Sequence, residues 1–226
     1  MQAGHACVDL RTRVVLLEYL GRGEASMKKC CRTTLLFPVL MAAIALGGCA
    51  VGNRYDYAGS ISGLPISGTE KVALEVVDAR PYVLSGDKKA DFIGLQRGGF
   101  GNPFDVRTAS GRPMAAEMHD AISTALQKQG FSVVGAKDPA PRKMELRVAE
   151  WKTDAMLHFE LRWDLTLNVY DDHGGLLAKS ASSGKEEQGA GFQSQNSQNA
   201  ARYFEMKFTE LVRDESVRKA FLPATK

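Results

Sequence analysis

The sequence predicts an α+β fold: a mostly antiparallel sheet of about four to five strands with two main helices packed on one face. Three observations carry this. HFELRWDLTLNVY at 158–170 alternates apolar and polar residues without a break, which is how a strand with one covered and one wet face reads. Apolar residues recur at intervals of three to four from Met114 to Leu126, the spacing of an amphipathic helix. The same spacing returns from Ala201 to Val212.

In chain order, KVALEVVDAR at 71–80 places Val72, Leu74 and Val76 on one face of a strand that ends at Asp78 to Pro81. DFIGL at 91–95 is a second strand after the polar turn SGDKK. The stretch RGGFGNPFDVRTASGRP, 97–113, reads as a turn-rich surface loop. A phosphate loop is excluded by spacing. There is no G-x-x-x-x-G-K-[ST], Gly98, Gly99 and Gly101 do not form G-x-G-x-x-G, and Pro103 interrupts any following helix.

Pro113 suits a first helical turn, Met114, Met118, Ile122, Ala125 and Leu126 form the buried stripe, and Gly130 supplies a left-handed stop. Phe131, Val133 and Val134 begin a strand closed by DPAP at 138–141. KMELRVAEW at 143–151 pairs with the long strand through the polar link KTDA. DDHGG at 171–175 is a hairpin turn and LLAKSAS returns beside it. GKEEQGAGFQSQNSQNA, 184–200, reads as a loop rich in small and amide residues. The last helix buries Ala201, Phe204, Phe208, Leu211 and Val212, and the closing ESVRKAFL buries Val217, Phe221 and Leu222.

Upstream of this body stands LLFPVLMAAIALGGCAVG, 35–52. Its apolar run, Leu35 to Leu46, is too short to cross a bilayer, which takes about 20 residues as helix. Met27, Lys28, Lys29 and Arg32 supply a basic flank, so 27–48 reads as a signal peptide. Leu46-Gly47-Gly48-Cys49 resembles the lipobox of bacterial lipoproteins. That resemblance implies cleavage between Gly48 and Cys49 and lipidation of Cys49. Residues 1–26 precede the natural start at Met27 and read as an over-extended N-terminus. Residues 49–69, small and glycine-rich, read as a flexible tether, with the alternative that Tyr55 and Tyr57 pack back onto the domain. Residues 70–226 then form a single α+β domain.

The 29 basic and 26 acidic residues give a net charge of +3. Residues 1–48 contain Arg11, Arg13, Arg22, Lys28, Lys29 and Arg32 against Asp9, Glu18 and Glu24, so the remainder is balanced at 23 of each sign. That balance gives no ground for nucleic-acid binding. Cys7, Cys30 and Cys31 all lie ahead of the cleavage point, so Cys49 is the one cysteine expected in the mature chain and no internal disulfide forms.

The remaining residues offer little chemistry. His158, Glu160 and Asp164 share a strand face, but His158 and Asp164 lie about 20 Å apart and Arg162 stands between them, which argues against a metal site. Asp171, Asp172 and His173 are explained as turn residues beside Gly174 and Gly175. No G-x-S-x-G elbow or Ser–His–carboxylate spacing is present, so the chain is expected to be non-catalytic, with no metal and no cofactor. The expected partner surface is the wet strand face at Glu160, Arg162 and Asp164, together with Phe192 as a lone aromatic anchor. The competing reading is a small envelope hydrolase or ligand-binding module whose site assembles only in three dimensions.

LGGC at 46–49, VALEVVDAR at 72–80, AISTALQKQGFSVV at 121–134, LTLNVYDDHGG at 165–175, NSQNAAR at 196–202 and ELVRDESVRKAFL at 210–222 together resemble the YajG-like family of bacterial envelope lipoproteins. The resemblance implies a lipid anchor in a bacterial membrane, an envelope protein or cell-wall partner, and a binding, scaffolding or maintenance role. The family has no established catalytic residue to carry over. Ala50, where inner-membrane lipoproteins commonly have Asp, implies the periplasmic face of the outer membrane.

Overall fold

The alternating run at 158–170 forms the expected strand, and around it the sheet is larger than the sequence suggests. The computed structural model describes residues 53–98, 101–156, 158–189 and 193–222, with 193–197 described by backbone alone. Its strands are β1 (Arg54–Tyr55), β2 (Lys71–Asp78), β3 (Phe92–Arg97), β4 (Pro103–Thr108), β5 (Ser132–Gly135), β6 (Arg142–Ala155), β7 (His158–Asp171) and β8 (Leu176–Gly189). The helices among the described residues are α1 (Pro81–Leu84), α2 (Met114–Lys128), α3 (Gln193–Arg213) and α4 (Glu215–Ala220).

The architecture is α+β with α2 and α3 dominant, but the sheet has eight strands and is mixed, where four to five mostly antiparallel strands were expected. β6, β7 and β8 form the antiparallel meander. The other edge of β6 is shared: β2 runs parallel along Arg142 to Val148, and β3 runs parallel along Thr153 to Ala155. β5 continues in parallel from β2 at one end. β4 and β1 continue from β3 at the other, β4 antiparallel to β3 and β1 parallel to β4.

Several segments expected to be irregular are built into this sheet. The loop expected at 97–113 contains β4, whose Val106 and Thr108 are buried. KTDA belongs to β6, and the connection to β7 is the two residues after Ala155. The polar GKEEQG that opens the expected loop at 184–200 is the second half of β8. Leu222, expected in the core, is 61% exposed.

A bulge in β6 sets the inner face. Val148 pairs with Leu165 and Glu150 with Asp164, so Ala149 is extra and the phase shifts by one residue. Met144, Leu146, Val148 and Trp151 therefore all join the core, alongside Phe159, Leu161, Trp163, Leu165, Leu167 and Val169 of β7. Both large helices contribute to the same core cluster, through Met118 and Ile122 of α2 and Phe204 and Phe208 of α3. Gly130 ends α2 with φ +96° and lies where a Cβ would come 2.7 Å from the Gly68 carbonyl oxygen, so the expected left-handed stop also makes room for a neighbouring chain.

Residues 53–69 take the alternative course to the expected tether. Tyr55, Tyr57, Ile61, Leu64 and Ile66 are core residues, and β1 adds to the sheet edge. The Trp151 indole donates to the Tyr57 hydroxyl at 2.7 Å inside the core. Phe204 packs edge-on against both rings, at 5.6 and 5.8 Å between centroids. Burial pushes the Tyr57 phenol well above its ordinary pKa, so it is neutral and available both to accept and to donate.

A buried aromatic in this position has a measurable consequence. Tyr57→Ala is expected to cost about 3–5 kcal/mol in urea melts, the range for truncating a large buried aromatic, while Asp56→Ala, with an exposed side chain, stays within about 0.5 kcal/mol. Equal, small effects at both positions would mean that this segment does not belong to the core.

Candidate functional site

On the outer face of the meander, the strand register sorts charges into rungs. Asp154, Glu160 and Glu187 lie opposite one another across β6, β7 and β8. The next rung is Lys152, Arg162 and Lys185, and the one after it is Glu150, Asp164 and Ser183. Like charges directly opposite across strands repel. Pairs between neighbouring rungs relieve this: along β7, Arg162 Nε donates to Glu160 Oε1 at 2.6 Å, while Lys185 Nζ lies 2.7 Å from Glu187 Oε1 on its own strand and 3.0 Å from Glu160 Oε2 on the diagonal. Arg97, at the end of β3, closes the acidic rung with a two-point contact to Asp154 at 3.1 and 2.8 Å.

Glu160 is the centre of this arrangement. Only 9% of the residue is exposed, whereas Arg162, Asp164 and Lys185 are exposed. Burial alone would raise its pKa, but the Lys185 and Arg162 cations outweigh burial and hold the carboxyl below the ordinary glutamate value. A recess of about 230 Å³ lies beside it, lined by Leu95, Arg97, Lys152, Asp154, Glu160 and Arg162. It is charged and small next to typical ligand pockets of about 300–1,000 Å³, which are mostly apolar.

The expected site residues are thus distributed as follows. Glu160 and Arg162 are brought together as an ion pair, and Asp164 sits on the next acidic rung without joining them. Gly48, Cys49 and Phe192 lie outside the described residues. His158 and Glu160 do approach one another with a third ligand, which is Glu187 of β8 and not Asp164: one ligand atom from each lies within 4.8 Å of the others. Both Glu160 oxygens and one Glu187 oxygen are already engaged by Arg162 and Lys185, so a cation would compete with two resident positive charges. His119 lies beside Asp120 at 3.3 Å, and His173 is exposed in the β7–β8 turn.

Lys185 and Glu187 escaped the sequence reading because both faces at that end of β8 carry polar residues, so no period-2 apolar signal marks it as strand. A second group was also missed. Arg80, fully buried, holds Asp78 through two donors at 2.8 and 2.7 Å and donates to the Phe92 and Ala90 carbonyls. Tyr82 of α1 reaches the outer face, where its hydroxyl contacts Glu150 Oε1 at 3.0 Å and donates toward the Trp151 carbonyl at 3.1 Å. The 79–91 excursion thus contacts the β6 edge of the Glu150–Asp164 rung, while Arg162, Asp164 and Lys185 stay exposed.

No family model and no curated protein matches the chain. Among solved structures, it is similar to a Xanthomonas campestris protein described by the family model DUF330, at 13% identity and TM-score 0.48, covering 70% of this chain and 92% of that one. It is also similar to a putative lipoprotein from Caulobacter crescentus, at 18% identity and TM-score 0.30, covering 42% and 77%. A minor lipoprotein from Acinetobacter baumannii is similar at 14% identity and TM-score 0.35, covering 68% and 95%. Each of the three scores lies below 0.5. No helix of the described residues is long and apolar enough to cross a membrane.

The ion-pair ladder gives a pH test. Because the folded-state pKa of Glu160 is lowered, its contribution to stability is present above the unfolded carboxylate value and is lost as pH falls through the folded one. Thermal melts between about pH 6 and pH 3 should show a steeper loss of Tm in the parent than in Glu160→Gln, whose side chain cannot titrate. Parallel curves would remove Glu160 from its role as the ladder's centre.

Proposed function

We propose that the chain is a lipid-anchored lipoprotein of the bacterial envelope whose folded domain works by contact and not by turnover. The observation that carries this reading is LGGC at 46–49 with its basic and apolar flanks, placed shortly ahead of Asn53, which is already tied into the sheet. The acyl group is attached at Cys49, several acyl chains hold the protein where one alone would anchor only marginally, and the domain faces the periplasm from the outer membrane. Kinship with the YajG-like family belongs to the same proposal and rests on the residue patterns already given.

The working surface is the open rung set at Glu160, Arg162, Asp164, Lys185 and Glu187. Its charges are paired, alternate in sign and lie on rigid strands, which suits registration against a complementary charged partner in the envelope more than binding of a small apolar ligand. Phe192 remains part of the proposal as a lone aromatic anchor for a partner.

Cys49→Ser should move the protein from the membrane fraction to the soluble one, or leave it with its signal attached. Intact mass of the parent should show a mature species starting at Cys49 and carrying lipid. A lipid-free species starting there would reject the anchor. In crosslinked envelopes, Glu160→Lys or Arg162→Glu should weaken a recurrent partner. Hydrolysis of an envelope substrate by the purified domain, with no partner recovered, would replace this reading by the enzymatic one.

A further inference from the structure

We infer that the sheet end formed by the β3–β4 and β6–β7 turns lies against the bilayer surface, held there by the shortness of the chain between the anchor and the first core residue. The inference rests on lipidation of Cys49, as proposed above, and adds an orientation to it.

The argument is one of reach. Asn53 is 7% exposed and its carbonyl accepts from the Arg107 N–H at 3.1 Å, so it is tied into the sheet. Arg54 and Tyr55 pair with Arg107 and Thr108 in parallel register. Only residues 50–52 stand between Asn53 and Cys49. Whatever path they take, the four steps from Asn53 to Cys49 span at most about 14 Å. A tether of the expected length, 49–69, would let the domain tumble away from the membrane, but residues 53–69 are spent on packing.

Topology decides which surface falls within that reach. β1 is parallel to β4, and β4 runs away from Pro103, so the chain upstream of Arg54 leaves from the side of Pro103. Pro103 is opposite Arg97, Gln96 is opposite Ala155, and Ala155 is opposite Phe159, which places the β3–β4 turn and the β6–β7 turn at one end of the sheet. The register sets Asn53 about 10 Å from the level of Pro103. Even at full extension, four steps from Asn53 exceed the level of Pro103 by only a few ångströms, so acyl chains inserted in a bilayer from Cys49 would bring those tips to the headgroups. Met156, in the β6–β7 turn, is 48% exposed there.

The opposite end is excluded by distance. It also exposes apolar side chains, Leu176 and Leu222, but β6 and β7 each run 14 residues, about 45 Å, so that end lies far beyond a reach of about 14 Å. Its β7–β8 turn carries Asp171 and Asp172, which anionic lipids repel.

Processing leaves Cys49 as the one native cysteine, and its thiol is acylated, so single cysteines report position without background. The full chain, expressed with its own signal and purified in lipidated form, would be labelled with an environment-sensitive fluorophore in the Asn102→Cys, Met156→Cys and His173→Cys variants. Each would be reconstituted into phosphatidylethanolamine–phosphatidylglycerol vesicles containing a headgroup nitroxide lipid. Quenching should be several-fold stronger at positions 102 and 156 than at 173. Equal quenching at all three, or stronger quenching at 173, overturns the orientation while leaving lipidation intact. A Gly/Ser insertion of about 15 residues after Val51, adding about 20 Å of mean reach, should reduce the contrast, and an unchanged contrast overturns the reach argument. An intact mass without acyl groups overturns both the orientation and the anchor, and is read before the quenching is measured.

Discussion

The extra residue in β6 is the constraint on which the rest of the fold depends. Ala149 interrupts the ladder with β7 just where the other edge of β6 changes partner, β2 ending opposite Val148 and β3 beginning opposite Thr153. Without the shift, alternation from Met144 would turn Trp151 to the wet face. With it, Trp151 enters the core, meets Tyr57 and Phe204, and so ties the first described segment, the central strand and α3 to one point. A bulge bends and twists the strand that carries it. Here it divides one strand between two sub-sheets that share a single core.

The outer face obeys a second constraint, set by the same register. Rungs of like charge are unfavourable pair by pair, yet neighbouring rungs of opposite sign let Arg162 and Lys185 reach anions along their own strands, and Lys185 also one on the diagonal. Exposed ion pairs contribute little individually, commonly 0–1 kcal/mol, so the pattern is better understood as holding side chains in fixed places than as a source of stability. Lys185 is held between two carboxylates and Arg162 against one, which orders a surface that would otherwise be a set of independent long side chains.

Legibility in the sequence followed burial. β7 was readable to the residue because one face is covered along its whole length, and so were the stripes of α2 and α3. The second half of β8 was not, since Lys185, Glu187 and Gln188 are strand residues with no apolar alternation to mark them. β4 was hidden inside a glycine-rich stretch because its buried residues number only Val106 and Thr108. Residues 53–69 read as a tether because Tyr55, Tyr57, Ile61, Leu64 and Ile66 fit neither a 2- nor a 3.6-residue period; an irregular segment is recruited to a core by individual side chains, which composition averages away. Glu160 and Arg162 were placed on the correct face, but their partners Lys185 and Glu187 required the cross-strand register, which no single strand reveals.

Absorbing residues 53–69 into the core changes what kind of task the domain can perform. A domain on a tether of about 20 residues samples a volume set by about 5–6 Å times the square root of tether length, and its partners meet every face. With Cys49 lipidated as proposed, a domain whose first core residue stands four steps from the anchor would have one end at the membrane, and its long strands would project away from that surface. The charged rungs run across β6, β7 and β8 near that end, and the rung of Asp154, Glu160 and Glu187 lies only two to three residues from the β6–β7 turn. At about 3.3 Å per residue that is within roughly 10 Å of the turn. On the proposed orientation, a partner reading those rungs would itself be at the membrane surface, which favours a second membrane-bound envelope protein over a soluble one, and a paired, nearly neutral charge pattern suits such a face better than a strongly charged one: it neither draws the domain onto anionic headgroups nor is repelled by them.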